Sequence, residues 1–393
     1  MRDRSMGRKH LLSTVMIAAA LGAASLMPGV SDGATDAPAR DARSGPAAAD
    51  AAAVRRGGVQ LRAVPVATGL NGPSGFTFGP GGKIWYLERG TGEVRVYTPS
   101  TDNDRLFDRI TRVNGDGERG ALGIALHPNF PDSPFVYVYV TRVDQGTLVN
   151  ELLRIRSVGG QGAGMTVLFK WAVSAGNHNG GRILFGPDGN LWITSGENGN
   201  PDYSQQRANL RGKILRIEPG GGIPSGNPFG TRIYAFGIRN SFGLAFDPRT
   251  GRAWESENGP ECNDEINWIR NGGNFAWGPN QSCSSLPAPR DTNRDGPQPR
   301  LMPKWNIRNT VGVTGLAFCR GCGLGDGRRG DLFVGDVNTG AVRVYDLNRA
   351  RTDFDHGGHL VLTLPSGVHS MEVARNGRIY VSTSSAIYRI ARA

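Results

Sequence analysis

Residues 177–199 read NHNGGRILFGPDGNLWITSGENG. Two short apolar runs, 183–185 and 191–195, flank Pro187-Asp188-Gly189. Proline presets φ at one turn position and glycine accepts positive φ at another, so the segment reads as strand, tight turn, strand. Ahead of it stands a polar knot, Asn177-His178-Asn179, followed by Gly180, Gly181 and Arg182. A histidine between two asparagines, beside glycines that leave the backbone approachable, is a place for a ligand. The plainer reading is a histidine that only hydrogen-bonds its loop.

The same pattern recurs along the chain. GFTFGPGGKIWYLE begins at Gly75, GIALHPNFPDSPFVYVYVT at Gly123, and GRILFGPDGNLWITSGE at Gly181. GLAFDPRTGRAWESENG begins at Gly243, GLAFCRGCGLGDGRRGDLFVGDV at Gly315, and SMEVARNGRIYVSTS at Ser370. A third strand follows each copy, at 93–97, 152–155, 213–217, 265–269, 341–345 and 386–390. Six such units predict an all-β fold, a six-bladed β-propeller over residues 58–393. Residues 60–67 are free to add to the last blade and close the ring, which removes exposed sheet edges. A two-domain β-sandwich is the alternative, but it does not predict the repeating turn. No helix-period segment of useful length stands out.

The chain has 393 residues with 58 glycines and 24 prolines, which punctuate short apolar runs as turns do. Arg2, Arg4, Arg8 and Lys9 precede an apolar, small-residue stretch at 11–27, so residues 1–34 read as a secretory signal peptide. An uncleaved N-terminal anchor is the runner-up. Residues 35–57 hold no aromatic side chain and are expected to be a disordered tail. The chain is then secreted or extracytoplasmic, with no stable membrane insertion after cleavage.

The formal charge is +11, and losing residues 1–34 removes four basic and two acidic side chains, leaving about +9. The basic residues are scattered and form no stripe interleaved with aromatics, which argues against nucleic-acid binding. Cys262, Cys283, Cys319 and Cys322 make an even count, suited to two disulfides in an exported chain. Three pairings are possible; proximity favours Cys262–Cys283 and Cys319–Cys322. The CxxC lacks the second pair a zinc site needs.

In a propeller, loops at one end of the channel converge, so unusual polar loops at equivalent points are the candidates for chemistry. The first is the His178 knot. The second is Gly237-Ile238-Arg239-Asn240-Ser241-Phe242-Gly243, where Arg239 and Asn240 could hold an anionic oxygen or a cofactor carbonyl. The third runs from Glu257 through Gly259 and Pro260 to Asp264 and Glu265, and offers hard oxygen ligands suited to calcium, though not at EF-hand spacing. Residues 115–120 fit GxGxxG, but a strand pattern follows where a nucleotide fold needs a helix. There is no GxSxG and no HExxH. His127 lies in a His-Pro turn, and His356 and His359 flank glycines in a loop.

These loops, in this order on this repeat, resemble the glucose/sorbosone dehydrogenase family, soluble aldose dehydrogenases that use pyrroloquinoline quinone (PQQ) on a six-bladed propeller. GERGALGIALHPNF, HNGGRILFGPDGNLWITSGE, GIRNSFGLAFDP and ENGPECNDEINWIRNGGNFAWG carry the resemblance, which runs from about residue 66 to the C-terminus. It implies oxidation of an aldose at its anomeric carbon to the lactone, with PQQ and calcium as cofactors and an external electron acceptor. His178 matches the general base. Arg239 and Asn240 match the pair beside the quinone oxygens. The Gly259 and Pro260 carbonyls match the calcium site, with Asp264 and Glu265 as a neighbouring acidic pair, and Thr310 matches a cofactor contact.

The sequence also departs from the family pattern. Glu118 stands where glutamine is usual and Asn177 where an acid precedes the histidine. Asn338 stands in place of a lysine, and Gly367 and His369 in place of two arginines expected at the cofactor's carboxylates. Arg308, close to Thr310, is a candidate replacement cation. Two other readings stay open: a non-catalytic propeller that binds carbohydrate or protein, and a calcium-dependent hydrolase or lactonase on the same face. A monomer or homodimer fits either.

Overall fold

The computed structural model describes residues 60–278 and 299–393. The expected signal peptide and tail, and Cys283, lie outside them. Among the described residues are six four-stranded antiparallel sheets. Blade 1 holds β2 (Pro73–Phe78), β3 (Ile84–Glu88), β4 (Glu93–Thr98) and β5 (Asn103–Arg109). Blade 2 holds β6 (Ala121–Leu126), β7 (Phe135–Asp144), β8 (Thr147–Val158) and β9 (Gln161–Ala172). Blade 3 holds β10 (Ile183–Phe185), β11 (Leu191–Ser195), β12 (Lys213–Ile217) and β13 (Ile233–Phe236). Blade 4 holds β14 (Ser241–Phe246), β15 (Ala253–Glu257), β16 (Cys262–Trp268) and β17 (Trp305–Asn309). Blade 5 holds β18 (Val313–Phe318), β19 (Leu332–Asp336), β20 (Ala341–Leu347) and β21 (Phe354–Thr363). Blade 6 holds β22 (Ser370–Val373), β23 (Ile379–Ser382), β24 (Ala386–Arg392) and, from the start of the chain, β1 (Leu61–Thr68).

The inner strands β2, β6, β10, β14, β18 and β22 each touch the next, and β22 touches β2, so the ring is closed. The closure forms as the sequence suggests: β1 pairs antiparallel with β24 from Leu61/Arg392 to Thr68/Ala386. This makes a six-bladed β-propeller. The sequence pattern yields three strands per repeat, and the fourth is the outermost. Outer strands such as β5 and β9 are mostly exposed and lack the apolar run that marks the others.

Each blade is buried on both faces, which is why its middle strands read as unbroken apolar runs. Val136 to Val140 of β7 are all inaccessible to solvent. Their side chains alternate between two interfaces: Val136, Val138 and Val140 pack on blade 1, while Tyr137 and Tyr139 pack on blade 3. Six such clusters fill the six blade interfaces.

The recurring inner-strand glycine has a steric cause. A Cβ on Gly75 would lie 2.6 Å from the Leu122 carbonyl oxygen, on Gly123 2.1 Å from that of Gly181, and on Gly315 2.5 Å from Met371 Cγ. Inner strands crowd the axis, so only a glycine lets adjacent blades meet there. In four blades the register shifts beside this position, re-aiming the strand ends at the channel mouth.

Candidate active site at one mouth of the channel

The Pro187–Gly189 turn sets the register of the β10–β11 hairpin, with Ile183 opposite Ile193. Carried outward, that register sets His178 opposite Asn198. The Asn198 N–H donates to the His178 carbonyl at 3.0 Å, and so does Asn198 Nδ2, also at 3.0 Å. His178 has φ +55°, a conformation unusual for a non-glycine residue. Its N–H donates to Glu118 Oε2 at 2.6 Å. Next to it, Tyr139 donates its hydroxyl to the Asn179 carbonyl at 2.7 Å. A Cβ on Gly180 would lie 2.7 Å from the Gly196 nitrogen, so the knot needs glycine where the two loops touch.

The hairpin register delivers one more residue. His178 Nδ1 lies 2.8 Å from both carboxylate oxygens of Glu197. Glu197 is 1% exposed and also accepts the Gly199 N–H at 2.6 Å. A carboxylate can only accept, so Nδ1 carries the proton. The other ring nitrogen, Nε2, keeps its lone pair and is 3.3 Å from Asn177 Nδ2, a donor. Asn177 thus donates toward the lone pair of the imidazole, which a carboxylate at this position could not do.

Arg239 and Asn240 are brought to the same mouth. Asn240 Nδ2 donates to Glu118 Oε2 at 3.1 Å, and Asn240 Oδ1 accepts the Gly180 N–H at 3.2 Å. Glu118 therefore ties the His178 backbone to Asn240. The Arg239 N–H donates to Glu257 Oε1 at 2.6 Å, and its Nη1 donates to the Asn258 carbonyl at 2.9 Å. The guanidinium lies 5.3 Å over the Trp277 ring. Burial pulls its pKa down, against the pull of Glu197, Glu257, Glu118 and Asp264. Its Nε and the side-chain oxygen of Asn258 are buried without a partner among the described residues.

The third loop is built differently from a side-chain metal site. Asp264 Oδ1 accepts the Gly259 N–H at 2.9 Å, and Oδ2 accepts those of Val311 and Gly312 at 2.7 Å. Burial pushes its carboxyl pKa up, and these backbone donors oppose the shift. Asp264 thus fastens the 259–264 turn to the start of β18. Glu265 lies in β16, opposite Glu257, and accepts from Asn267 Nδ2 at 3.3 Å. Among the described residues, no three His, Cys, Asp or Glu side chains gather as a metal-holding group. Of the four residues named for calcium, Gly259 and Pro260 would contribute carbonyl oxygens.

The mouth holds a cavity of about 230 Å³, walled by Ser74, Arg89, Glu118, Arg182, Asn258 and His369. Arg89 Nη1 donates to the carbonyls of Gly115, Gly117 and Arg119 at 3.0, 2.6 and 3.0 Å. Arg182 donates from Nε to the Phe242 carbonyl at 3.1 Å and from Nη2 to that of His369 at 3.0 Å. Burial, then the charges of Arg89 and Arg182, lower the His369 pKa. His178, Arg239 and Asn240 stand behind this wall, in contact with its Glu118 and Asn258, whereas Arg308, exposed on β17, and Thr310 neither belong to the wall nor bond to it among the described residues. The cations at the cavity are Arg89 and Arg182 instead. Asn338 is exposed beside Val337, which does line the cavity. A Cβ on Gly367 would lie 2.0 Å from the Val337 carbonyl oxygen, so an arginine does not fit there without moving that loop.

Cys319 and Cys322 form a disulfide, as proximity suggests. Cys262 is also disulfide-bonded, and its expected partner Cys283 lies outside the described residues. No helix among the described residues is long and apolar enough to cross a membrane.

Fold and site together define a class: a closed six-bladed propeller with a carboxylate-backed histidine and a buried arginine at one channel mouth. The family model described as Glucose / Sorbosone dehydrogenase matches residues 70–392, and the chain belongs to that family of oxidoreductases. It is 31% identical over 245 residues to quinoprotein glucose dehydrogenase B of Acinetobacter calcoaceticus, a match covering 54% of this chain and 51% of that one, about half its length. It is 27% identical over 336 residues to an aldose sugar dehydrogenase of Escherichia coli, covering 80% of this chain and 87% of the relative. The PQQ-bound aldose sugar dehydrogenase of Streptomyces coelicolor superposes with a TM-score of 0.72 at 26% identity, over 85% of this chain and 98% of that one.

Proposed function

We propose that the protein oxidises an aldose at its anomeric carbon to the lactone, with PQQ as cofactor, His178 as general base and an external acceptor taking the electrons. The observation that carries this reading is the pair His178 Nδ1–Glu197 at 2.8 Å. Nε2, once it exchanges the long 3.3 Å contact with Asn177 Nδ2 for substrate, would take the proton of the anomeric hydroxyl, and Glu197 would stabilise the imidazolium that forms. The buried carboxylate behind the histidine favours a base over a residue that only binds carbohydrate, since it stabilises the protonated ring.

PQQ, when bound, supplies the quinone that accepts the hydride. The residues present fit such a group. Arg239 Nε and the Asn258 side-chain oxygen are buried polar atoms in need of partners. Arg239 and Asn240 would hold the quinone oxygens, where a positive charge stabilises negative charge as it develops. Arg89 and Arg182, on the cavity wall, would meet carboxylates in place of the missing lysine and arginines. Calcium would be held by the Gly259 and Pro260 carbonyls. Glu118 would act on the cofactor side by fixing Asn240, and Thr310 and Arg308 would act only from the neighbouring loop. The reaction belongs outside the cytoplasm if residues 1–34 direct export.

The test is reconstitution of the full chain with PQQ and calcium, followed by visible absorption and an aldose screen with an artificial acceptor. A saturable spectral change and sugar-dependent dye reduction are expected. No spectral change at high PQQ would overturn the reading. Lactone hydrolysis without PQQ would replace it with the hydrolase alternative.

A further inference from the structure

The inner strands run from the active-site mouth to the opposite end of the channel. There they open into a second and larger cavity, of about 500 Å³. Its walls include the last residues of four inner strands: Phe78, Phe185 and Phe246, which are partly exposed, and Phe318, which is 2% exposed and packs against Trp254. None of the residues assigned to the dehydrogenase site lines it. Arg182 separates the two ends. It projects from the start of blade 3 and bonds the carbonyls of Phe242 in blade 4 and His369 at the start of blade 6, across the ring.

Two features give this cavity a chemical preference. Arg320 and Arg375 stand at it, both exposed, and neither makes an ion pair or side-chain hydrogen bond among the described residues. An adjoining cavity of about 330 Å³ shares Arg320 and adds Arg249 and Arg329. Of the two carboxylates on the wall, Asp247 is already held by Arg351 at 2.8 and 3.0 Å. The second feature is Glu372 on β22, half-buried on the same wall, whose carboxyl has no hydrogen-bond partner among the described residues.

We infer that this far mouth is a binding site for a small amphiphilic organic anion, its apolar body against Phe78, Phe185 and Phe246 and its anionic group on Arg320 and Arg375. An apolar concave wall with few convergent charges is the usual make-up of a small-ligand pocket, and unpaired arginines favour carboxylate or sulfonate oxygens. A cation would be repelled at the rim. Burial pushes the Glu372 pKa up to about 8, with Arg182 opposing. Near neutral pH it therefore presents a carboxylic acid able to donate a hydrogen bond. The charged groups facing it are Arg182 from blade 3, Asp247 in its ion pair from blade 4, Arg320 from blade 5, and Arg375 beyond its own strand. Once ionised, Glu372 repels an anion.

The inference is independent of the dehydrogenase reading. Its test uses the full chain and the fluorescent anion 1-anilinonaphthalene-8-sulfonate, with neutral N-phenyl-1-naphthylamine as comparator. One saturable site is expected for the anion, and weaker binding for the neutral dye. Arg320→Glu/Arg375→Glu, at two exposed positions, is expected to weaken the anion by roughly tenfold or more. Between about pH 7 and about pH 9 the affinity of the unmodified protein is expected to fall by roughly tenfold, and that of Glu372→Gln to stay flat. Equal binding by the double variant, equal binding of the neutral dye, or many equivalent sites would each overturn the inference. So would a pH profile shared by the unmodified protein and Glu372→Gln.

Discussion

Both carboxylate oxygens of Glu197 lie 2.8 Å from His178 Nδ1, and the carboxylate is almost wholly withdrawn from water. The contact fixes the ring orientation, and on the proposed reading it is Nε2 that would act as the base. Glu197→Gln keeps the shape and loses the charge that stabilises the imidazolium. A fall in kcat of about a hundredfold to ten-thousandfold is expected, with KM and PQQ affinity little changed. Steady-state kinetics on the reconstituted variant decide this; a loss under about threefold would remove Glu197 from the mechanism.

Asp264 spends both oxygens on three backbone N–H groups, from Gly259, Val311 and Gly312. Asp264→Ala orphans those donors at about 1–3 kcal/mol for each that water cannot reach. The midpoint of thermal unfolding is expected to drop by several degrees even without metal. If stability changed only in the presence of calcium, Asp264 would be a ligand and not a clamp.

Two of the three missing cation positions, Asn338 and Gly367, differ in how they can be restored. Asn338 is exposed at the edge of the cavity, so Asn338→Lys adds a charge without a clash. One charge-assisted contact is worth about 1.5–3 kcal/mol, an improvement in PQQ affinity of about tenfold or more. Gly367→Arg meets the Val337 carbonyl oxygen at 2.0 Å and is expected to destabilise the fold and gain no affinity. Parallel PQQ titrations and melting curves separate the two outcomes.

Glu372 gives the fold a pH dependence of definite sign. Its folded pKa is raised from 4.5 to about 8, so between those values the native state holds a proton that the unfolded chain has lost. Its contribution is fully present below the lower value and is lost as pH rises through the upper one. Relative to Glu372→Gln, the unmodified protein is expected to lose melting temperature steadily from about pH 5 to about pH 8. Parallel curves for the two proteins would show that Glu372 is solvated in the native state.

The Cys319–Cys322 disulfide closes a very short loop. On the chain-entropy account, loops of this size contribute about 2 kcal/mol, less than long ones. Cys319→Ser/Cys322→Ser is therefore expected to melt a few degrees lower with unchanged sugar oxidation. Loss of oxidation at full folding would reveal a connection to the site that the structure does not contain.

The sequence reveals the propeller because each repeat carries a turn between two apolar runs and an inner-strand glycine imposed by crowding at the axis. The outer strands stay hidden because β5 and β9 face solvent and carry no apolar pattern. His178, Arg239 and Asn240 are legible as polar residues in glycine-rich loops. Glu197 escapes notice because its role depends on the hairpin register, although carrying Ile183/Ile193 outward from the turn sets Asn198 opposite His178. Arg89 and Arg182 are harder still to find. They reach the cavity from different blades and are anchored by backbone carbonyls that no sequence pattern marks. Arg308 looks suitable by proximity to Thr310 in the chain, but β17 is an outer strand and holds it away from the axis.

The central claim is that His178 is the base of a PQQ-dependent aldose oxidation. His178→Asn tests it most directly, because asparagine tolerates the left-handed backbone at φ +55° and leaves the loop in place. At saturating PQQ, calcium and sugar, the variant is expected to bind PQQ with an unchanged spectrum and to reduce the acceptor dye about a hundredfold or more slowly. Dye reduction at the unmodified rate, with PQQ bound, would contradict the account.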